Sequence, residues 1–88
     1  MNDSASPSLL FYTTQHCHLC EQAESLLVSV AQSLSTPIEV EAVDIAYEDA
    51  SIVERYGERI PVLCRTRDAA ELGWPFGAKE LADFLAAV

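Results

Sequence analysis

Leu9-Leu10-Phe11-Tyr12-Thr13-Thr14-Gln15-His16-Cys17-His18-Leu19-Cys20 is the stretch that decides the fold. Its first five residues form a short apolar, aromatic and β-branched run behind the breaker Pro7, the composition of a buried strand. Beyond Cys17, the apolar residues Leu19, Ala23, Leu26, Leu27, Val30, Ala31 and Leu34 recur at steps of three and four. Glu21, Gln22, Glu24 and Ser25 lie between them, so the pattern predicts an amphipathic helix of about four turns. A strand thus leads into a Cys-x-x-Cys and a helix leaves from it. This spacing suits two chemistries. One thiol can attack a disulfide while the second displaces the product, or the pair can supply half of a zinc site.

Working outward, Ser35-Thr36-Pro37 ends the helix, and Ile38 to Asp44 alternates apolar with acidic residues, the mark of a half-exposed strand. A second helix is expected over Ala50 to Tyr56, with Asp49 as N-cap and Gly57 as stop. Pro61 to Arg65 reads as a strand, followed by a turn around Arg67-Asp68 and a short strand through Ala70-Glu71-Leu72. A last helix opens near Gly77 or Ala78, with Leu81, Phe84, Leu85 and Val88 on one side and Glu80 and Asp83 elsewhere. The order βαβαββα implies an α/β domain. Its first crossover gives a parallel pair, its late strands an antiparallel hairpin, and together they make a four-stranded mixed sheet with helices on both faces.

The chain has 88 residues, half of them apolar, with few Gly or Pro, which describes one domain over residues 1–88 with residues 1–8 as a flexible tail. Three cysteines cannot make a stapling framework, so the core must hold the fold. No run approaches the ~18 to 20 apolar residues of a membrane span, and Met1 to Ser8 lacks a signal-peptide pattern. A cytoplasmic location, where thiols stay reduced, is the expectation. The net charge of −9 argues against nucleic acid and anionic membrane as partners. Glu39, Glu41, Asp44, Glu48, Asp49, Glu54 and Glu58 face only Arg55 in their segment; they read as a solvated face or as a surface for a basic partner protein. Zinc needs four ligands, and nothing after Cys64 offers another Cys or a His, so neither a metal nor another cofactor is expected.

The strand, the Cys-x-x-Cys opening a helix, and Tyr56-Gly57-Glu58-Arg59-Ile60-Pro61-Val62-Leu63 before the third strand together resemble the thioredoxin superfamily, in particular its short glutaredoxin-like members. The resemblance covers almost the whole chain. It implies a thioredoxin-like fold and a small dithiol-disulfide oxidoreductase in which Cys17 attacks and Cys20 resolves. It also implies a cis Ile60-Pro61 peptide lying against the cysteines, with backbone groups of Ile60 free to pair with an extended substrate. The substrate would be a protein or low-molecular-weight disulfide, and the electron donor glutathione or a thioredoxin-reductase-like partner.

A helix N-terminus favours the Cys17 thiolate by ~0.3 to 1 kcal/mol, lowering its pKa from the ordinary thiol value, while Cys20 inside the first turn stays protonated. His16 and His18 flank Cys17, either as further support for the thiolate and substrate or as exposed loop residues. Cys64 shares a face with Val62 and reads as a small buried hydrophobe, with regulatory pairing as its alternative use. Trp74-Pro75-Phe76 either plugs the core beneath a loop or rims Cys17.

The chain departs from the glutaredoxin pattern where glutathione is usually gripped. Thr14 stands in place of a Lys, His18-Leu19 in place of Pro-Tyr, and Phe76-Gly77 with Lys79-Glu80 near the usual Gly-Gly-Asp. Arg59 and Lys79 are the candidate replacements as carboxylate partners. Thioredoxin likeness is also incomplete, since His16 occupies the usual Trp position. The contrasting reading is a non-catalytic thioredoxin-fold binding module that docks a partner through its acidic face or the Trp74 rim.

Overall fold

The computed structural model describes residues 7–35 and 37–88. Its elements run β1 (Leu9–Thr13), α1 (His18–Gln32), β2 (Val40–Asp44), a 3-10 turn (Ile45–Tyr47), α2 (Ala50–Tyr56), β3 (Val62–Arg65), β4 (Glu71–Gly73) and α3 (Ala78–Leu85). The four strands form one sheet in the order β2-β1-β3-β4. β1 and β2 are parallel, while β1 with β3 and β3 with β4 are antiparallel, so the sheet is mixed as the element order requires.

Alternation along β1 divides the core. Leu9 and Phe11 face one side and join Leu63 from β3, Cys20, Ala23, Leu27 and Val30 from α1, and Leu81 and Leu85 from α3. Tyr12 faces the other side and joins Ile45, Tyr56, Val62 and Cys64. Helices therefore cover both faces. Leu9, Val62, Leu63, Leu81 and Leu85 are essentially removed from solvent, each contributing about 1.5 to 3 kcal/mol of burial.

Local signals act where the side chains dictate. Asp49 caps α2 by accepting from the backbone N–H groups of Ser51 and Ile52, at 3.1 and 3.3 Å. Gly57 ends α2 in an ordinary right-handed conformation. A Cβ there would come 2.6 Å from the Val53 carbonyl oxygen, so it is close approach that makes a side chain costly. Gly77 precedes α3 and donates its N–H to the Glu80 carboxylate at 3.1 Å.

Three expectations are corrected. The first helix begins one residue before Leu19, with Cys17 as its cap, and ends at Gln32, where Ser33 closes it through bonds to Val30 and Ala31. Leu19, assigned to the apolar stripe, is 47% exposed, since the buried stripe starts at Cys20, about 100° around the helix. The second strand starts at Val40, not Ile38, and lies at a sheet edge where Val40, Glu41 and Ala42 are all exposed. Of the expected tail, residues 1–6 lie outside the described residues. Ser8 donates to Glu39 at 2.9 Å, and the Pro7 and Ser8 carbonyls accept from Thr66.

Candidate functional site

Cys17 sits between the end of β1 and the first turn of α1. The chain reaches it through His16, whose φ of 59° is left-handed, a conformation costing a residue with a Cβ about 1 to 2 kcal/mol. That turn places Cys17 in extended geometry as the N-cap of α1, its Sγ accepting from the Cys20 backbone N–H at 3.2 Å. Cys17 and Cys20 are joined as a disulfide, their Cα atoms 5.2 Å apart, inside the span such a bond needs.

The two sulfurs have different surroundings. Cys17 is half-buried, packed at the margin of the first core cluster, whereas Cys20 is 3% exposed within it. An incoming reagent meets Cys17 first. On reduction, the N–H groups at the start of α1 and the positive end of its dipole would favour charge on the Cys17 sulfur.

The Ile60-Pro61 peptide is cis, and so is Trp74-Pro75. Ile60 packs against both core clusters and Pro61 is fully buried. The Trp74 N–H donates to the Pro61 carbonyl at 3.1 Å, which fixes the 74–76 loop beside that proline. Trp74 packs at the margin of the same cluster as Cys17, its ring edge-on to buried Phe76 with centroids 5.1 Å apart. Phe76 is thus a core plug, while Trp74 is half-buried and Pro75 exposed. The expectation that Ile60 leaves its backbone groups free needs correcting: its N–H is committed to the Tyr56 carbonyl at 3.0 Å. Among the described residues, no hydrogen bond reaches its carbonyl.

The other candidate residues are placed differently. His16 is exposed, and His18 is exposed with its Nδ1 3.9 Å from the Glu21 carboxylate. Arg59 donates to Glu71 at 2.7 Å and lies 5.4 Å from the centre of the Tyr56 ring, so its charge is engaged on the α2 side. Lys79 reaches Asp83 at 3.5 Å. Thr14, at the position where a Lys is usual, donates its hydroxyl to Asp44 at 3.0 Å. Cys64 is buried in the second cluster, and burial pushes its thiol up from the ordinary range. Among the described residues, no group of three or more His, Cys, Asp or Glu is arranged to hold a metal ion.

A network behind the site escaped sequence reading. Tyr12 and Tyr56 stack with centroids 4.1 Å apart. The Tyr56 hydroxyl donates to Glu71 at 2.6 Å, and Arg55 joins the same carboxylate at 3.3 Å. The hydrogen bond from Tyr56, then that from Arg59, holds the Glu71 carboxyl below its usual range, while burial raises the Tyr56 phenol. Nothing in the spacing of these residues marks them as neighbours, because the sheet brings Tyr12 and Glu71 to α2 from distant parts of the chain.

Comparison with known proteins follows the same lines. The family model described as a glutaredoxin-like domain (DUF836) matches residues 8–86. The crystal structure of target protein XcR50 from X. campestris is similar at a TM-score of 0.72 and 36% identity, covering 91% of this chain and 97% of that one. Its solution structure agrees at a TM-score of 0.72 and 34% identity, covering 92% and 95%. Protein Ne2328 from Nitrosomonas europaea shares the fold at a TM-score of 0.71 and 24% identity, with 96% and 98% covered. No curated protein matches.

Proposed function

The chain belongs to the glutaredoxin-like domain family of the thioredoxin superfamily, with a Cys17-Cys20 pair that gives it a thiol-redox role, and from that premise we propose that it is a dithiol-disulfide oxidoreductase. In the proposed cycle the Cys17 thiolate attacks one sulfur of a substrate disulfide. A Cys17-substrate disulfide forms and the other substrate sulfur leaves as a thiolate that takes a proton. Cys20 then loses its proton and attacks the Cys17 sulfur, releasing the second substrate thiol and closing the Cys17-Cys20 disulfide. Two electrons pass from the pair to the substrate. A thiol donor, glutathione or a thioredoxin-reductase-like protein, returns them.

The single observation that carries this reading is the unequal setting of the two sulfurs, Cys17 at the helix cap and Cys20 buried one turn inside it. In the same proposal Ile60, Pro61 and Trp74 form the wall along which the substrate lies, and the Ile60 carbonyl accepts from its backbone. His16 and His18 border the entrance. Arg59 and Lys79 are already paired with Glu71 and Asp83, so a protein disulfide is favoured over an anionic small one. The setting is a reducing compartment, consistent with a cytoplasmic protein; among the described residues, no helix is long and apolar enough to cross a membrane.

Reduction of insulin and of a mixed disulfide, each assayed with glutathione and with thioredoxin reductase, tests the proposal. Turnover lost in Cys17→Ser supports it. A wild-type protein inactive with both donors would instead favour a binding module.

A further inference from the structure

The free edge of β2 borders an apolar groove on the α1 side, of about 470 Å³, lined by Phe11, Leu27, Val28, Ala31, Val40 and Ala42 among others. Val28 is 48% exposed and Val40 39%. Among the described residues, the outward backbone along this edge is also unpaired. The Leu9 N–H bonds to the Glu39 carbonyl while Leu9 registers with Val40. In a parallel pair that pattern turns the amide groups of Glu39, Glu41 and Val43 toward β1 and those of Val40 and Ala42 outward. Two consecutive outward positions therefore carry both open hydrogen-bonding groups and the side chains that floor the groove.

Charge selects the occupant. Glu41 registers with Leu10 and so lies on the opposite face from Val40 and Ala42, while Glu24 lines the groove. None of the groove residues is Lys or Arg, and all five Lys and Arg side chains of the chain have acceptors elsewhere, on Glu71, Asp68, Asp83 and the Ala87 carbonyl. A second copy pairing edge to edge would bring acidic strands together, which disfavours it. We propose that this edge takes an extended peptide of alternating apolar and cationic residues as a fifth strand. Its apolar side chains enter the groove beside Val28 and Val40, and its Lys or Arg side chains meet Glu39 and Glu41 on the other face.

The test titrates the full, isotope-labelled chain with a Lys-Val-Lys-Val-Lys-Val-Lys peptide and with its Glu-for-Lys counterpart, following backbone amide resonances. The Lys peptide should give saturable shifts centred on Val28, Val40 and Ala42, and the Glu peptide none. Val40→Pro removes an outward N–H without touching the β1 ladder and should weaken binding at least tenfold. Val28→Lys, on an exposed helix position, should do likewise by putting a charged side chain where the peptide's apolar side chains would enter the groove. Glu39→Lys with Glu41→Lys should reverse the peptide preference. The proposal is overturned by the absence of saturable shifts, by a footprint on α2 or at Cys17, or by binding that survives both Val40→Pro and Val28→Lys. Concentration-dependent broadening at β2 without peptide would assign the edge to a second copy and overturn it too.

Discussion

The backbone N–H of Cys20 donates to the sulfur of Cys17 at 3.2 Å, so the less buried member of the pair is the cap of the helix that buries the other. This relationship gives the two sulfurs unequal surroundings. In the reduced protein, iodoacetamide should label Cys17 first, with a rate-versus-pH midpoint below that of a free thiol near ~8.5. Cys64, buried and with its thiol pushed up by burial, should label only on unfolding. Peptide mapping of the alkylated protein checks both. Equal labelling of the three cysteines in the native state would contradict the assignment.

Arg65 ties the β3–β4 hairpin to α3. It donates twice to Asp68, at 3.0 and 2.8 Å, and once to the Phe84 carbonyl at 2.9 Å. The Arg65 bond holds the Asp68 carboxyl down at about 2, and Tyr56 with Arg59 lowers Glu71. A carboxylate whose folded pKa is depressed stabilises the fold above its unfolded value and loses that contribution as pH falls through the folded one. Urea unfolding should therefore change little from pH 7 to 5 and weaken from about 4 down to about 2. Asp68→Asn should flatten part of that acid limb, while leaving the Glu71 part in place. An unaltered limb would show that the pair does not couple to folding.

Ala69 closes the same hairpin with φ of 62°, and the Ala70 N–H bonds to Asp68 at 3.1 Å to fix the turn. A left-handed residue with a Cβ costs about 1 to 2 kcal/mol, part of which glycine gives back through a looser unfolded state. Ala69→Gly should therefore raise stability by up to about 1 kcal/mol, a Tm gain of roughly 4 to 8 °C for a domain of this size. Ala69→Val should lower it. Thermal melts followed by circular dichroism give both values, and a lower Tm for the glycine variant would refute the turn argument.

Much of the architecture was legible because its signals are local. The 3.6-residue repeat after Cys20, the cap at Asp49 and the apolar run Leu9 to Thr13 each specify an element without help from the rest of the chain. The second strand was less legible: its alternation of Val and Glu suits a half-buried strand, yet an edge position leaves even Val40 exposed. Of the site, the sequence shows the Cys17-His18-Leu19-Cys20 spacing, which suits a disulfide pair or half a zinc site, while a role for Ile60-Pro61 comes only from the family resemblance. It cannot show that Trp74 reaches the Pro61 carbonyl, that His16 turns left-handed before the cap, or that Tyr12, Tyr56 and Glu71 meet. The first and last depend on the β2-β1-β3-β4 strand order, which brings distant residues together, while the His16 turn is a local choice that the residue type does not announce. The candidate cations show the same limit of sequence reading, since nothing in the spacing reveals that Arg59 donates to Glu71 on β4.

The central claim, that Cys17 attacks and Cys20 resolves, is tested most directly by trapping. Cys20→Ser, mixed with a disulfide-containing protein substrate and analysed by non-reducing mass spectrometry, should accumulate one covalent adduct mapped to Cys17, whereas Cys17→Ser should accumulate none. An adduct on Cys20 in the Cys17→Ser protein, or its absence from Cys17 in Cys20→Ser, would contradict the account.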